Sequence, residues 1–178
     1  EMPPSPESNT PTGALEVMGV SFLHAGDIAS LQSTDLRVFP ASLHVYAHLS
    51  FGCGRVGGMS LPEHMIKAQG TGNDFVMYAD RSGEHAPQKQ DIIQLCDRHF
   101  GIGADGLIRI TRPGHVADLD GHDAQKMRKE GVEWFMDYRN ADGTLAEMCG
   151  NGTRATAQFL VQQGMLELEE GDAFKLGT

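Results

Sequence analysis

Glu147-Met148-Cys149-Gly150-Asn151-Gly152-Thr153-Arg154-Ala155-Thr156-Ala157-Gln158-Phe159-Leu160-Val161-Gln162-Gln163-Gly164 is the stretch on which the fold turns. Residues 153–163 favour a helix, and Gly164 stands where a left-handed residue would stop it. The side chains of this helix are small on nearly every face. It therefore lacks the apolar stripe of a surface helix and suits the inside of a β layer, where close backbone approach matters more. The residues just ahead of it carry chemistry. Cys149 falls where a strand-like segment gives way to the helix, so the unpaired amides of the first turn and the positive end of the dipole surround its sulfur. That setting favours a thiolate and can also hold a carboxylate. A cysteine is more commonly a small apolar packing group. Gly150 and Gly152, however, add nothing to a core and let the backbone come close to a ligand.

Strand signals surround this helix. Residues 65–68 read as a short strand, residues 70–74 as a turn and residues 75–80 as a second strand. Leu107-Ile108-Arg109-Ile110 is β-rich between Gly106 and Pro113, residues 132–138 form another strand, and Asp142-Gly143 predicts a hairpin into residues 144–148. Asp91 is placed to cap a helix that carries Ile92, Ile93, Leu95 and Cys96 on one stripe and runs to near Gly101. Residues 165–169 start a last strand. Residues 14–64 contain apolar side chains without caps or a sustained period. Residues 1–13 are rich in Pro, Ser, Thr and Glu, with Met2 as the one long apolar side chain, and read as disordered. The organised domain is thus expected at 65–178, with 1–64 a leader or extension.

A chain of 178 residues suits one ordinary domain. Its formal net charge of −10 gives no basic face for a phosphate backbone, so nucleic acid is not an expected partner. The 22 glycines favour many tight turns over long helices. Cys53, Cys96 and Cys149 are an odd, widely spaced set that suggests no disulfide framework and fits a reducing compartment. No secretory signal and no run of about 18 apolar residues is present, so a soluble, cytoplasmic protein without membrane attachment is expected.

Other candidate sites are weaker. Gly101-Ile102-Gly103-Ala104-Asp105-Gly106 matches a dinucleotide-binding pattern, but that pattern follows a strand and opens a helix. Here the predicted helix precedes it and the strand follows, so the glycines read as a tight connection. No metal site is expected: no two cysteines are close, and His115 and His122 are not four apart. Cys96 lies on the apolar stripe of its helix and Cys53 in a glycine-rich stretch, and both read as unreactive.

Four blocks in order carry a family resemblance: Gly72-Asn73-Asp74-Phe75, Asp97-Arg98-His99-Phe100-Gly101-Ile102-Gly103-Ala104-Asp105-Gly106, Asn140-Ala141-Asp142-Gly143, and Glu147-Met148-Cys149-Gly150-Asn151-Gly152-Thr153-Arg154. Together they resemble the N-terminal half of the diaminopimelate epimerases, from Met65 to near Leu176. The resemblance implies an α+β fold, a curled and mostly antiparallel sheet wrapped around a central helix, as one of the two similar halves of such an enzyme. It implies a pyridoxal-independent epimerase with no cofactor, acting on the small amino acid diaminopimelate in the cleft between halves. Cys149 would be one of two catalytic cysteines, and Asn73, Asn140, Gly150 and Asn151 would hold the substrate's amino and carboxylate groups. The position of Gly106 is often glutamine in that family and then lines the site. The second cysteine would come from a C-terminal half that has no counterpart before Thr178, so the 178 residues are expected to be inactive without that half or a second copy. Two alternatives stay open: a proline-racemase-like enzyme of the same fold, and a non-catalytic half that binds a ligand or partner.

Overall fold

The computed structural model describes residues 28–32, 47–50, 61–62, 64–70, 72–168 and 172–178. The expectations for residues 1–13 and for Cys53 lie outside them. Seven strands form one open sheet: β1 (Ile28–Gln32), β2 (Ala47–Ser50), β3 (His64–Gly70), β4 (Asn73–Asp80), β5 (Gly106–Thr111), β6 (Trp134–Asn140) and β7 (Ala173–Gly177), in the order β1-β7-β6-β5-β4-β3-β2. Among the described residues three α-helices, α1 (Lys89–Cys96), α2 (Gly121–Lys129) and α3 (Gly150–Gln162), and a 3-10 turn at Pro113–His115 complete the fold. Pairing is antiparallel except at β4–β5 and β6–β7. The expected mostly antiparallel α+β architecture is therefore the observed one.

The two parallel pairs explain the layering. The chain crosses from β4 to β5 through α1 and from β6 to β7 through α3, moving the same way across the sheet from strands of opposite direction. Crossovers of one hand then put the two helices on opposite faces. On one face Phe75, Met77, Ile108, Ile110, Trp134 and Met136 pack against Ala155, Phe159 and Leu160 of α3, which touches β3, β4, β5 and β6. On the other, Val76, Tyr78 and Leu107 meet Ile92, Leu95 and Cys96 of α1. A third cluster joins Met127 of α2 to Val116, Val132 and Phe135. Because β3 to β6 are covered on both faces, they read as apolar runs rather than as clean alternation.

α3 can sit this deep because it is built from small residues. Gly152, Thr153, Ala155, Thr156 and Ala157 are all buried. At Gly70, a Cβ would come 3.1 Å from the carbonyl oxygen of Asn151 and 3.7 Å from Ala155, so the end of β3 lies almost against the first turn of the helix.

Several boundaries differ from the sequence reading, each for a local reason. Asp91 is not the N-cap of α1: Gln88 is, and Asp91 accepts from the Gln88 amide at 3.0 Å as the third helical residue of a capping box. The helix ends at Cys96 rather than near Gly101, because the Asp97 carboxylate takes the amides of His99 and Phe100 and folds them into a turn. The hairpin after Asp142-Gly143 shrinks to a single bridge, Arg139 with Leu145, before the chain enters α3. Gly164 stops α3 at φ +63°, as read, but the amides of Met165 and Leu166 then bond back to Leu160, which moves the last strand to Ala173–Gly177. No sustained pattern in the sequence marks α2. Strands β1 and β2 occupy a segment without caps or a sustained apolar period, and pair with β7 and β3 at the two edges.

Candidate active site

One end of the sheet gathers the candidate residues. In register, Ala68, Phe75, Gly106 and Asn140 form a row across β3, β4, β5 and β6. Asn73 precedes that row at the start of β4, and Asn140 is the last residue of β6. The first turn of α3 enters over this end, with Gly152 fitted between Ile108 and Met136; a Cβ there would stand 3.4 and 3.5 Å from them.

Cys149 is the N-cap residue of α3, with extended backbone and no side-chain cap hydrogen bond. Its carbonyl accepts from the amide of Thr153 at 2.9 Å and from the Thr153 hydroxyl at 3.1 Å. The thiol is thus left out of helix capping. It is half-buried, whereas Cys96 is enclosed between α1 and the sheet. Burial pushes the Cys96 thiol up to about 11, so of these two cysteines only Cys149 combines access with the amides of a helical first turn. No acidic side chain occupies that turn. Gly150, Asn151 and Gly152 have no carbonyl a turn behind them, so their N–H groups are the donors for an anion beside the sulfur.

Asn151 reaches across 78 residues of chain to Asn73, donating from Nδ2 to Oδ1 at 2.9 Å. Asn73 in turn donates from Nδ2 to Asp105 at 3.1 Å, and Asn151 Oδ1 accepts from Arg154. The chain Arg154–Asn151–Asn73–Asp105 fixes both amide planes. Asp105 is held by the Arg98 guanidinium at 2.8 Å, and Arg98 forks onto both oxygens of Asp74 at 3.0 and 2.8 Å. Lys67 adds a bond to Asp74 at 2.7 Å and another to the Gly103 carbonyl. Arg98 foremost, against the opposing effect of burial and with help from Lys67 and the Asp105 amide, holds the Asp74 carboxyl far below the ordinary carboxylate range.

The structure therefore brings Cys149, Gly150, Asn151 and Asn73 together. Asn140 stands at the same end of the sheet, but its side-chain amide is bonded to the Thr144 hydroxyl at 3.0 Å and not to the asparagine pair. Sequence reasoning assigned no role to Asp105, Arg98, Asp74 or Lys67. The signal was present in Asp97-Arg98-His99-Phe100-Gly101-Ile102-Gly103-Ala104-Asp105-Gly106, whose glycines do form a tight connection: Gly103 has φ +75°, and a Cβ on Gly101 would strike the Gln94 carbonyl at 2.0 Å. That connection delivers Asp105 to Asn73.

An α+β domain with an open mixed sheet, a buried helix of small residues and an accessible cysteine at the head of that helix defines the class. The diaminopimelate epimerase family matches residues 65–173, and the chain belongs to it. Similar proteins include the diaminopimelate epimerases of Corynebacterium aurimucosum, 46% identical over 112 residues covering 63% of this chain and 38% of that protein, and of Thermobifida fusca, 45% identical over 113 residues covering 63% and 39%. That of Corynebacterium glutamicum is 39% identical over 120 residues, covering 67% and 39%. The chain thus spans little more than a third of the length of these relatives. Among the described residues no helix is long and apolar enough to cross a membrane.

Proposed function

We propose that residues 65–178 form one half of a cofactor-independent epimerase site that inverts the α-carbon of LL-diaminopimelate to the meso form, a step toward lysine and peptidoglycan precursors in the cytoplasm, and that residues 1–64 are an extension that adds edge strands β1 and β2 to its sheet and no residue to the site. The observation that carries the reading is the coincidence, at one end of the sheet, of an uncommitted thiol, the first-turn amides of α3 and the bonded pair Asn73–Asn151. Inversion without a cofactor needs a base on one face of the α-carbon and an acid on the other, because a single group returns the proton to the face it left. Cys149 supplies one of these. The carbanion spreads charge into the carboxylate, and fixed N–H donors at Gly150 and Asn151 oppose it; losing one such donor elsewhere raises a barrier by roughly 3–4 kcal/mol. Asn73 and Asn140 complete the grip on the substrate's amino and carboxylate groups.

The second thiol is assigned to a C-terminal half or a second copy of the chain. The test follows proton NMR of LL-diaminopimelate in deuterated water together with chiral separation of the LL and meso forms. The 178-residue chain should show neither exchange nor inversion at an appreciable rate. Joined to the C-terminal part of the Corynebacterium aurimucosum relative it should do both, and Cys149→Ala in the joined protein should abolish inversion. Brisk inversion by Cys149→Ala would overturn the assignment.

A further inference from the structure

The two described tyrosines on the central strands are treated in opposite ways. Tyr78, on the α1 face of β4, is buried and donates its hydroxyl to the His85 carbonyl at 2.7 Å. Tyr138, on the α3 face of β6, is half-buried, and its hydroxyl makes no hydrogen bond within the described residues. A phenol that only packs would be expected to satisfy its hydroxyl or to be replaced by phenylalanine without loss.

Its ring is nonetheless held in place. Phe75 meets it edge to face with centroids 5.7 Å apart. The ring also fills the space over Gly106: a Cβ at position 106 would lie 2.6 Å from Tyr138 Cε2 and 2.3 Å from the Arg139 carbonyl oxygen. Glycine at 106 is therefore what allows the tyrosine to lean over the end of β5. That end is the site. Gly106 pairs with Asn140 and Ile108 with Tyr138, while Ile108 and Met136 on the same face carry the first turn of α3. A Cβ on Gly152 in that turn would be 3.8 Å from the Cys149 Cβ.

We propose that Tyr138 is a further site residue: its hydroxyl, carried by the ring that leans over Gly106 at the site end of the sheet, is a hydrogen-bond donor for the substrate carboxylate. Burial first, and then negative charge on Cys149 and Asp105, raise the phenol's pKa, which keeps the hydroxyl protonated as a donor. The proposal rests on the epimerase reading of the site.

One titration separates the proposal from the reading on which it rests. The chain joined to the C-terminal part of the Corynebacterium aurimucosum relative, labelled with 13C at tyrosine Cζ, is titrated with LL-diaminopimelate. The Tyr138 resonance should move together with the amides of Gly150 and Asn151 while Tyr78 stays still, and Tyr138→Phe, with its circular dichroism intact, should weaken binding about threefold to tenfold. Movement of those amides with Tyr138 stationary, or undiminished binding by the variant, overturns the proposal and leaves the epimerase reading standing. If the amides ignore diaminopimelate altogether, the epimerase reading fails and the proposal falls with it.

Discussion

Two polar networks cross this domain, and they are finished differently. On the α1 face, Arg109 bonds Asp80 at 2.9 Å through Nε and Asp137 at 3.4 Å; Asp80 also collects the amides of Gly83, Glu84 and His85, and Asp137 passes on to Arg139 and thence to Asp118. Arg109, Asp80 and Asp137 are almost wholly enclosed. At the site end, Lys67, Asp74, Arg98 and Asp105 are all at least partly exposed, and their chain of contacts finishes at Asn73 and Asn151 beside an open thiol. The first network is enclosed at its centre, between Asp80 and Asp137, reaches the surface at Asp118 and holds loops to the sheet. The second is anchored at one end and offers its other end outward. In a fold of this size, enclosure of the central charges therefore separates polar groups that serve the scaffold from those that serve a ligand.

The comparison can be broken most severely at Arg109. Arg109→Met leaves Asp80 enclosed without its cation and Asp137 with Arg139 alone and should remove about 3–5 kcal/mol of stability, read by denaturant unfolding. Its pH dependence adds a second check. Burial alone would raise the Asp80 carboxyl, but Arg109 and the amides of His85 and Gly83 outweigh it, so its folded pKa lies below the ordinary value. A depressed carboxylate stabilises the fold above its unfolded pKa of about 3.9, and that stabilisation is lost as pH falls toward the folded value. The gap between wild type and Arg109→Met should thus narrow below about pH 4. A constant gap would mean that Asp80 does not depend on Arg109.

The next effect concerns the thiols. Limiting iodoacetamide at pH 8, followed by peptide mass analysis, should label Cys149 more than tenfold faster than Cys96, since a shift of about two units leaves Cys96 roughly a hundredfold less thiolate than an ordinary thiol. Preferential labelling of Cys96 would reverse the distinction between closed and open groups.

A smaller effect is expected at Asp105. Asp105→Ala removes an exposed partner of Arg98, so stability should fall by less than about 1 kcal/mol. The side-chain amide of Asn73, deprived of its acceptor, should nevertheless shift and exchange faster in 15N-resolved NMR spectra. A stability loss matching that of Arg109→Met would place the site network among the scaffold groups.

The smallest effect belongs to residues 1–64. Every member of both networks lies between Lys67 and Arg154, so a chain beginning at Met65 should keep one cooperative unfolding transition and the same order of thiol reactivity. Loss of cooperativity on that truncation would show that the edge pairings of β1 and β2 are part of the core.

What the sequence displayed and what it hid follow from how local each signal is. Gly164 and the small residues of α3 announced a buried helix because backbone geometry is written in the residue itself. β4, β5 and β6 were readable from their apolar, β-rich runs. α2 was not, because only Ala124 and Met127 of its nine residues are buried and its start is marked by Asp120 alone, which accepts from the His122 amide ahead of a poor helix former at Gly121. The hairpin signal at Asp142-Gly143 was right about the turn, with Gly143 at φ +76°, and wrong about its length, because pairing beyond Leu145 competes with the entry into α3. At the site, Cys149 and its glycines could be read from local spacing, and Asn73, Asn140 and Asn151 came from the resemblance. The Asn73–Asn151 bond could not be read, since it depends on β3 and α3 meeting at Gly70.

Most candidate groups stand at the ends of elements: Asn73 opens β4, Gly106 opens β5, Asn140 closes β6 and Cys149 precedes α3. Element ends fray at a free energy well below that of global unfolding. Amide hydrogen exchange should accordingly fall into two tiers, with residues such as Met77, Ile108 and Met136 in the middle of their strands exchanging slowly and the rim from Asn140 to Gly150 exchanging fast. The rim can open to admit and release a small molecule while the sheet beneath it stays shut, so access to the thiol is a local event that the scaffold need not follow.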